Sequence, residues 1–276
     1  LERFPSAVPI GADGTPCPPP HGWQGICPTH EGYRAWRMDA FRTLLATHAI
    51  DGVWLDYHHA HASWERADPV LPDTCLCMRC IQRFLDETDV QVPPGSTFAG
   101  IRPLLLGKHG EAWTAWRCGV FTDWVRAFRE ILDATRPEAL LGTFHCPWTD
   151  EERDGALRAK LAIDLRAQMP HLDVFSPMPY HARFGHATDP AWISRQSAWL
   201  GKHLGLEGAP DERVRIWPIV QLADWGEAVP VEQVAPVIDH GTRPPATGVL
   251  VFAWGRLRKQ PAKVEALVEA YRALAD

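Results

Sequence analysis

Gly52-Val53-Trp54-Leu55-Asp56-Tyr57 is the stretch on which the reading of this 276-residue chain turns. An apolar run without alternation, halted by a carboxylate, is how a strand covered on both faces meets a polar edge. Four more segments have the same form: 140–144 (LLGTF), running into His145 and Trp148; 173–180 (DVFSPMPY), ending at Tyr180 and followed by His181; 214–222 (VRIWPIVQL), followed by Asp224, Trp225 and Glu227; and 248–254 (GVLVFAW), closing on Trp254. Strand after strand changes at its C-terminal end from apolar to carboxylate, imidazole, indole or phenol.

Helical periodicity fills the intervals. Tyr33, Trp36, Phe41, Leu44, Leu45 and His48 fall on one stripe, with Thr29 as its N-cap. Trp113, Trp116, Val120, Trp124, Phe128, Ile131 and Leu132 form another, which stops before Pro137. Further helices are predicted over about 151–168, 190–203, 230–240 and 261–275. The alternation predicts an α/β fold of βα units with parallel strands. No G-x-G-x-x-G follows any strand, so a (β/α) TIM-type barrel, whole or partial, is preferred over a doubly wound sheet. A barrel of this kind places its chemistry at the C-terminal ends of its strands, which makes that mouth the expected site.

Composition narrows the function. With 46% hydrophobic and 22% charged residues, the chain has the makeup of a globular protein, read here as a single domain over 1–276. The net charge is −6 and there is no run of Lys or Arg, so nucleic acid is not an expected partner. No apolar stretch approaches the roughly 18–20 residues a bilayer span needs, so no membrane partner is expected either. Thirteen Trp stand against four Tyr, an excess of the flat face that stacks on sugar rings. There is no nucleophile elbow, P-loop or H-E-x-x-H helix, and no organic cofactor is expected.

Cys75, Cys77 and Cys80 form C-x-C-x-x-C ahead of the apolar Ile81 and Phe84. This spacing brings three thiolates to one point, and a tetrahedral zinc needs a fourth ligand. Cys27 is the best candidate, with Cys17, Cys146, His59 and His61 as substitutes. Chance proximity or disulfide pairing is the competing explanation. Cys118 lies within the Trp-rich stripe and is expected to be buried and inert.

Cys27-Pro-Thr-His-Glu-Gly-Tyr33-Arg34, a helix, the strand Gly52–Asp56, then Cys75-Leu-Cys77-Met-Arg-Cys80 and Phe84 together resemble the zinc-bearing part of glycoside hydrolase family 42. That is the β-galactosidase family with a TIM-barrel catalytic domain. The resemblance covers residues 25–130, and beyond them only strand order; GVWLDY also resembles a strand pattern of the wider glycosyl hydrolases related to that family. It implies a structural zinc on Cys27, Cys75, Cys77 and Cys80, held in an insertion over 58–90. It implies that Gly52–Tyr57 is the fourth barrel strand, so that the chain holds strands four to eight of a partial barrel. The segment 7–10 could add one short strand, and an open edge would offer a surface for self-association. The family ends its fourth strand in Asn-Glu, the Glu being the acid/base, whereas the matching positions here are Tyr57 and His58.

The resemblance therefore implies a carbohydrate substrate and an O-glycosidic bond cut by two carboxylates. Asp56 supplies one. The preferred second is Asp224, at the end of the strand where the family places its nucleophile, followed by Glu227; Glu65, on the insertion, is a further candidate acid. His58, His59, His61, His145, Tyr180 and His181 are expected to contact sugar hydroxyls, and Trp148, Trp225 and Trp254 to serve as stacking platforms. Trp113, Trp116 and Trp124 are expected in the core. Two alternatives stand: a noncatalytic carbohydrate-binding relative, and a metal-dependent hydrolase using Asp56 with His59 and His61. A thiolate zinc site suits a reducing compartment, which favours the cytoplasm.

Overall fold

The computed structural model describes residues 2–18 and 24–275, with side chains described through 274. In chain order the elements are α1 (Glu31–Thr47), β1 (Gly52–Leu55), α2 (Met78–Glu87), α3 (Phe98–Leu106), α4 (Gly110–Thr135), β2 (Leu140–His145), α5 (Ala156–Ala159), α6 (Leu165–Gln168) and β3 (Val174–Pro177). They continue as α7 (Ala191–Leu204), β4 (Arg215–Ile216), β5 (Ile219–Gln221), α8 (Val234–Thr242), β6 (Leu250–Phe252), α9 (Trp254–Leu257) and α10 (Pro261–Ala275).

All strand pairings are parallel and sequential: β1-β2-β3-β4 form one sheet and β5-β6 a second. β4 and β5 are two halves of one line. The Trp217 N–H still donates to Phe175 on the β3 side (2.9 Å), and the Pro218 carbonyl accepts from Leu250 on the β6 side (2.9 Å). Pro218 has no N–H, so the ladder to β3 stops there and the line changes partner. The sheet formed by the described residues is thus an open arc of five strand positions and not a closed barrel.

The two faces of the arc differ. Leu55, Leu141, Phe175 and Ile216 are buried in one cluster with Met38, Phe41 and Leu45 of α1 and Val125, Phe128 and Leu132 of α4. Alternate residues point the other way. There Trp54 stacks on Trp217 (centroids 5.9 Å apart, planes at 21°) and donates through Nε1 to Ser176 Oγ (3.0 Å). The Trp54 indole lies flat across β2 because position 142 is Gly: a Cβ there would fall 2.4 Å from the ring. Gly142→Ala is expected to cost about 1–3 kcal/mol of stability by overpacking. It should appear as a lower denaturant midpoint at unchanged slope.

Several local expectations are corrected. Thr29 does not cap α1; His30 does, accepting from the Tyr33 N–H (3.1 Å), while Thr29 Oγ1 lies 3.1 Å from Cys80 Sγ. Residues 7–10 form no strand. Pro5–Ala7 is a 3-10 turn, and Ile10 makes an isolated bridge to Pro16. The helix expected over 151–168 divides into the one-turn α5 and α6, because Arg153, Asp154 and Gly155 turn into the left-handed region and Asp164 caps a new start. Two helices were not anticipated, α2 within the insertion and α3 just beyond it.

Candidate active site

β1 ends at Leu55, and Tyr57 adopts a φ of +52°, so the chain bends sharply after Asp56. The bend makes Asp56 the last residue in line with the strand, and its Oδ1 accepts from the Tyr57 N–H (2.8 Å). The chain then returns through 58–65 and brings Glu65 within electrostatic reach of Asp56. Burial, then the Asp56 charge, push the Glu65 carboxyl up to about 7, with Arg183 pulling it down. Burial also raises Asp56, opposed by the Tyr57 N–H. Tyr57 is pushed up to about 12 by burial and by both carboxylates. The Tyr180 phenol is raised by burial and by Glu65, Asp56 and Tyr57. Four oxygen groups thus share one neighbourhood at the C-terminal end of the strands, and the carboxylate the fold brings to Asp56 is Glu65.

Asp224 is engaged elsewhere. Its Oδ1 accepts from Lys263 Nζ (2.7 Å) and the Val229 N–H (2.9 Å), and its Oδ2 from Gln260 Nε2 (2.9 Å). These partners tie the loop after β5 to the start of α10, a structural latch. Glu227 is exposed, beyond the turn at Gly226.

The aromatic and imidazole residues separate into wall and core. Trp225 is half-buried and packs against Tyr180 (5.6 Å) and Phe252 (5.2 Å), with the Arg183 guanidinium 4.6 Å from its ring centre. Trp148, expected as a platform, is 2% exposed, enclosed by Trp64 and Phe184. Trp254 is 58% exposed at the start of α9. His145 is buried with its ring edge on Phe175, on the helix-packed side of the sheet, and burial lowers it to about 4. His181 is fully buried and bonded to Gln233 Oε1 (2.9 Å). Trp113 and Trp124 are buried, as expected, and Trp116 packs partly buried beside Trp113.

The three histidines after Tyr57 also have other tasks. His58 Nε2 bonds the Phe121 carbonyl (2.9 Å). His59 uses Nδ1 on the Ala60 carbonyl (2.7 Å) and accepts from Trp64 through Nε2 (2.9 Å). His61 accepts from the Gly25 N–H (3.1 Å) and uses Nε2 on the Pro18 carbonyl (2.8 Å). Both nitrogens of His59 and His61 are therefore occupied, so neither ring offers the free lone pair that a catalytic metal with Asp56 would require. His58 and His59 are held neutral, each lowered to about 4 by burial.

The thiols do converge. Cys27, Cys75, Cys77 and Cys80 place their sulfurs within 4.8 Å of one another, and Cys27 lies 3.6 Å from both Cys77 and Cys80. A tetrahedral zinc with bonds near 2.3 Å sets its sulfurs about 3.8 Å apart, so this donor set fits. The Ile10 N–H (3.5 Å) points to Cys75 and the Cys80 N–H (3.4 Å) to Cys77, an outer shell suited to thiolates. Around the cluster pack Leu76, Ile81, Phe84, Ile101, Leu105 and Trp113. The site joins the segment before α1 to the insertion that carries Glu65.

A cleft of about 610 Å³ lies at the opposite, N-terminal end of the strands, among Arg129, Asp173 and Arg213. Its charges satisfy each other: Asp173 accepts from Arg129 (2.8 Å), Arg213 (3.1 Å) and the Leu141 N–H (2.9 Å). Arg183 had no signal in the sequence, being one arginine in HARFG with no spacing to mark it. No helix is long and apolar enough to cross a membrane among the described residues.

No protein-family model matches the chain, and no curated protein matches it by sequence. Solved structures do. The chain is similar to the glycoside hydrolase domain of PgaB (BpsB) from Bordetella bronchiseptica, with a TM-score of 0.69 and 15% identity over 94% of this chain and 68% of that one. It is similar to the catalytic domain of β-amylase from Paenibacillus polymyxa, with a TM-score of 0.61 and 10% identity over 97% of this chain and 73% of that one. It is also similar to Gan42B, a GH42 β-galactosidase from G. stearothermophilus, at 0.61 and 13% over 99% of this chain but 44% of that one. At such identities the likeness is one of fold. The likeness is in the α/β architecture shared with these structures, here an open parallel arc, and it does not single out family 42.

Proposed function

We propose that this chain is a glycoside hydrolase-like domain that cleaves an O-glycosidic bond, with Glu65 as the proton donor and Asp56 as the companion carboxylate. The observation that carries this reading is the paired environment of the two acids at the strand ends. A glycosidase needs one carboxyl still protonated near neutral pH and another already ionised, and neighbouring environments that separate the two titrations provide it. Glu65, at about 7, retains its proton for the departing oxygen. Asp56 ionises first, and its charge is one reason Glu65 does not; the resulting carboxylate faces the positive charge that develops at the anomeric carbon. The half-buried Trp225 and Phe252, backed by Tyr180, which is buried behind them and does not itself reach a ligand, offer an aromatic wall against which a sugar ring packs.

The four cysteines are assigned a structural zinc. Four thiolates fill a tetrahedron and leave no position for water, so the ion supplies folding energy and no catalytic step.

The deciding experiment is release of reducing ends from an oligosaccharide panel by the wild type and by Asp56→Asn, Glu65→Gln and Asp224→Asn. The first two substitutions are expected to lower kcat by about 10³-fold and the third by less than tenfold. An active Glu65→Gln beside an inactive Asp224→Asn would restore the pair Asp56 and Asp224. Sugar binding without turnover in the wild type would favour a noncatalytic carbohydrate-binding protein.

A further inference from the structure

Arg183 is fixed at the edge of the site by three contacts. Its backbone N–H donates to Oε1 of the fully buried Gln221 (3.0 Å), whose own Nε2 donates to the Ala223 carbonyl (3.1 Å). Its Nε donates to the backbone carbonyl of Glu65 (2.8 Å), bridging 118 positions of sequence. Its guanidinium lies over Trp225 at 4.6 Å. A planar head held at Nε and stacked on an indole has little rotational freedom left to lose.

Among the described residues the Nη edge of this rigid group is unused. Among the described residues neither Nη has a hydrogen-bond acceptor, and Arg183 forms no ion pair. Glu65 is near enough for the guanidinium to pull its carboxyl down, yet it is not paired with it. Gly226 makes room for the arrangement: it has a φ of +82°, and a Cβ there would stand 2.5 Å from Nη1. Elsewhere in the molecule the arginines around Asp173 take acceptors for their Nη groups, as do Arg117 and Arg136. Arg183 stands apart from these in being fixed through Nε while its fork stays open, half-buried beside the two acids.

We propose that the Nη fork of Arg183 receives the carboxylate of a uronic acid residue, so that the site takes an acidic glycan. This rests on the glycosidase reading and deepens it by naming the substrate class. A guanidinium fork matches a carboxylate with two parallel hydrogen bonds, a geometry that a sugar hydroxyl does not fill. The cation also offsets the repulsion that Asp56 and Glu65 exert on an anionic sugar. Because Nε holds the Glu65 main chain, the carboxylate so bound lies next to the residue that carries the proton.

The test is titration of the full chain with D-glucuronate and, separately, D-glucose, followed by NMR shifts of the indole N–H groups. Wild-type protein is expected to bind glucuronate at least about tenfold more tightly than glucose. Arg183→Met should erase that preference, read as the ratio of the two affinities within the variant, and Arg183→Lys should keep only part of it. Equal affinities in the wild type, or a preference that survives Arg183→Met, would overturn the proposal and leave the glycosidase reading standing. If neither sugar binds, both fall. The wild-type comparison decides even if a variant does not fold.

Discussion

Replacing Glu65 with Gln is expected to lower kcat by about 10³-fold and, in the same protein, to stabilise the fold at alkaline pH. The two effects have one cause. Folding lifts the Glu65 carboxyl from its ordinary value of 4.5 to about 7, because burial and the Asp56 charge penalise the ionised form. Below pH 4.5 the group is protonated in both folded and unfolded chains and costs nothing. As pH rises from there to about 7, the unfolded chain ionises freely while the folded one resists, so stability is lost across that window and the loss is constant above it. At 1.36 kcal/mol per unit, reduced for partial exposure, the penalty is on the order of 2 kcal/mol. Gln cannot ionise and removes it. Chemical denaturation should therefore show the variant matching the wild type at pH 4 and exceeding it at pH 8.

On the proposed assignment, the pH profile of hydrolysis should carry the same signature. Its alkaline limb should fall near pH 7 as Glu65 loses its proton, and its acid limb should fall where Asp56, itself raised by burial, takes one up. Asp56→Asn removes the neighbouring charge, so the Glu65 carboxyl should titrate lower in that variant, readable by carbon NMR without any turnover. A Glu65→Gln variant with wild-type turnover would end the assignment of this residue as the acid. One with no pH-dependent gain in stability would show that the pair is not coupled as described.

The second large effect concerns the thiols. Cys80→Ser is expected to lose the metal and lower Tm by about 10 °C or more, since structural zinc sites contribute on the order of 10 kcal/mol of apparent binding free energy to folding. The loss should be local first. Cys80 is 1% exposed within the cluster of Leu76, Ile81, Phe84, Ile101, Leu105 and Trp113, none of which belongs to the main cluster beneath the sheet. Hydrogen exchange should accordingly rise across α2 and α3 before β1 and β2. Elemental analysis of the wild type is expected to return one zinc per chain. Cys118→Ser is the control, because Cys118 packs with Ala60, Phe121 and Ala162 away from the four sulfurs, and it should keep the metal. Wild-type protein that carries no metal, or a metal-free form with unchanged Tm, would overturn the zinc assignment.

The five strand segments and the thiol cluster were legible in the sequence because each rests on neighbours in the chain. An apolar run announces a strand locally, and C-x-C-x-x-C brings three sulfurs together whatever the rest of the chain does. The stretch between β1 and α4 was less legible: α2 and α3 gain their stability from packing on the cysteine cluster and on Trp113, which no single-segment periodicity records. The roles of side chains beyond the strand ends were least so. Trp148 and Trp225 follow strand-end positions alike in the sequence, yet one is enclosed by Trp64 and Phe184 and the other lines the mouth.

By itself, then, the chain's order of residues determined that strands would run parallel with polar groups gathered at one end, and that three sulfurs would converge; that Cys27 lies with them is a matter of the fold. Which carboxyl joins Asp56 was decided only in three dimensions. Gln260 and Lys263, just before and within the first turn of α10 and 36 and 39 positions onward, draw Asp224 aside, while Arg183 holds the Glu65 main chain across 118 positions. Electrostatic coupling depends on distance through space, and a linear order of residues does not contain it until the chain has folded.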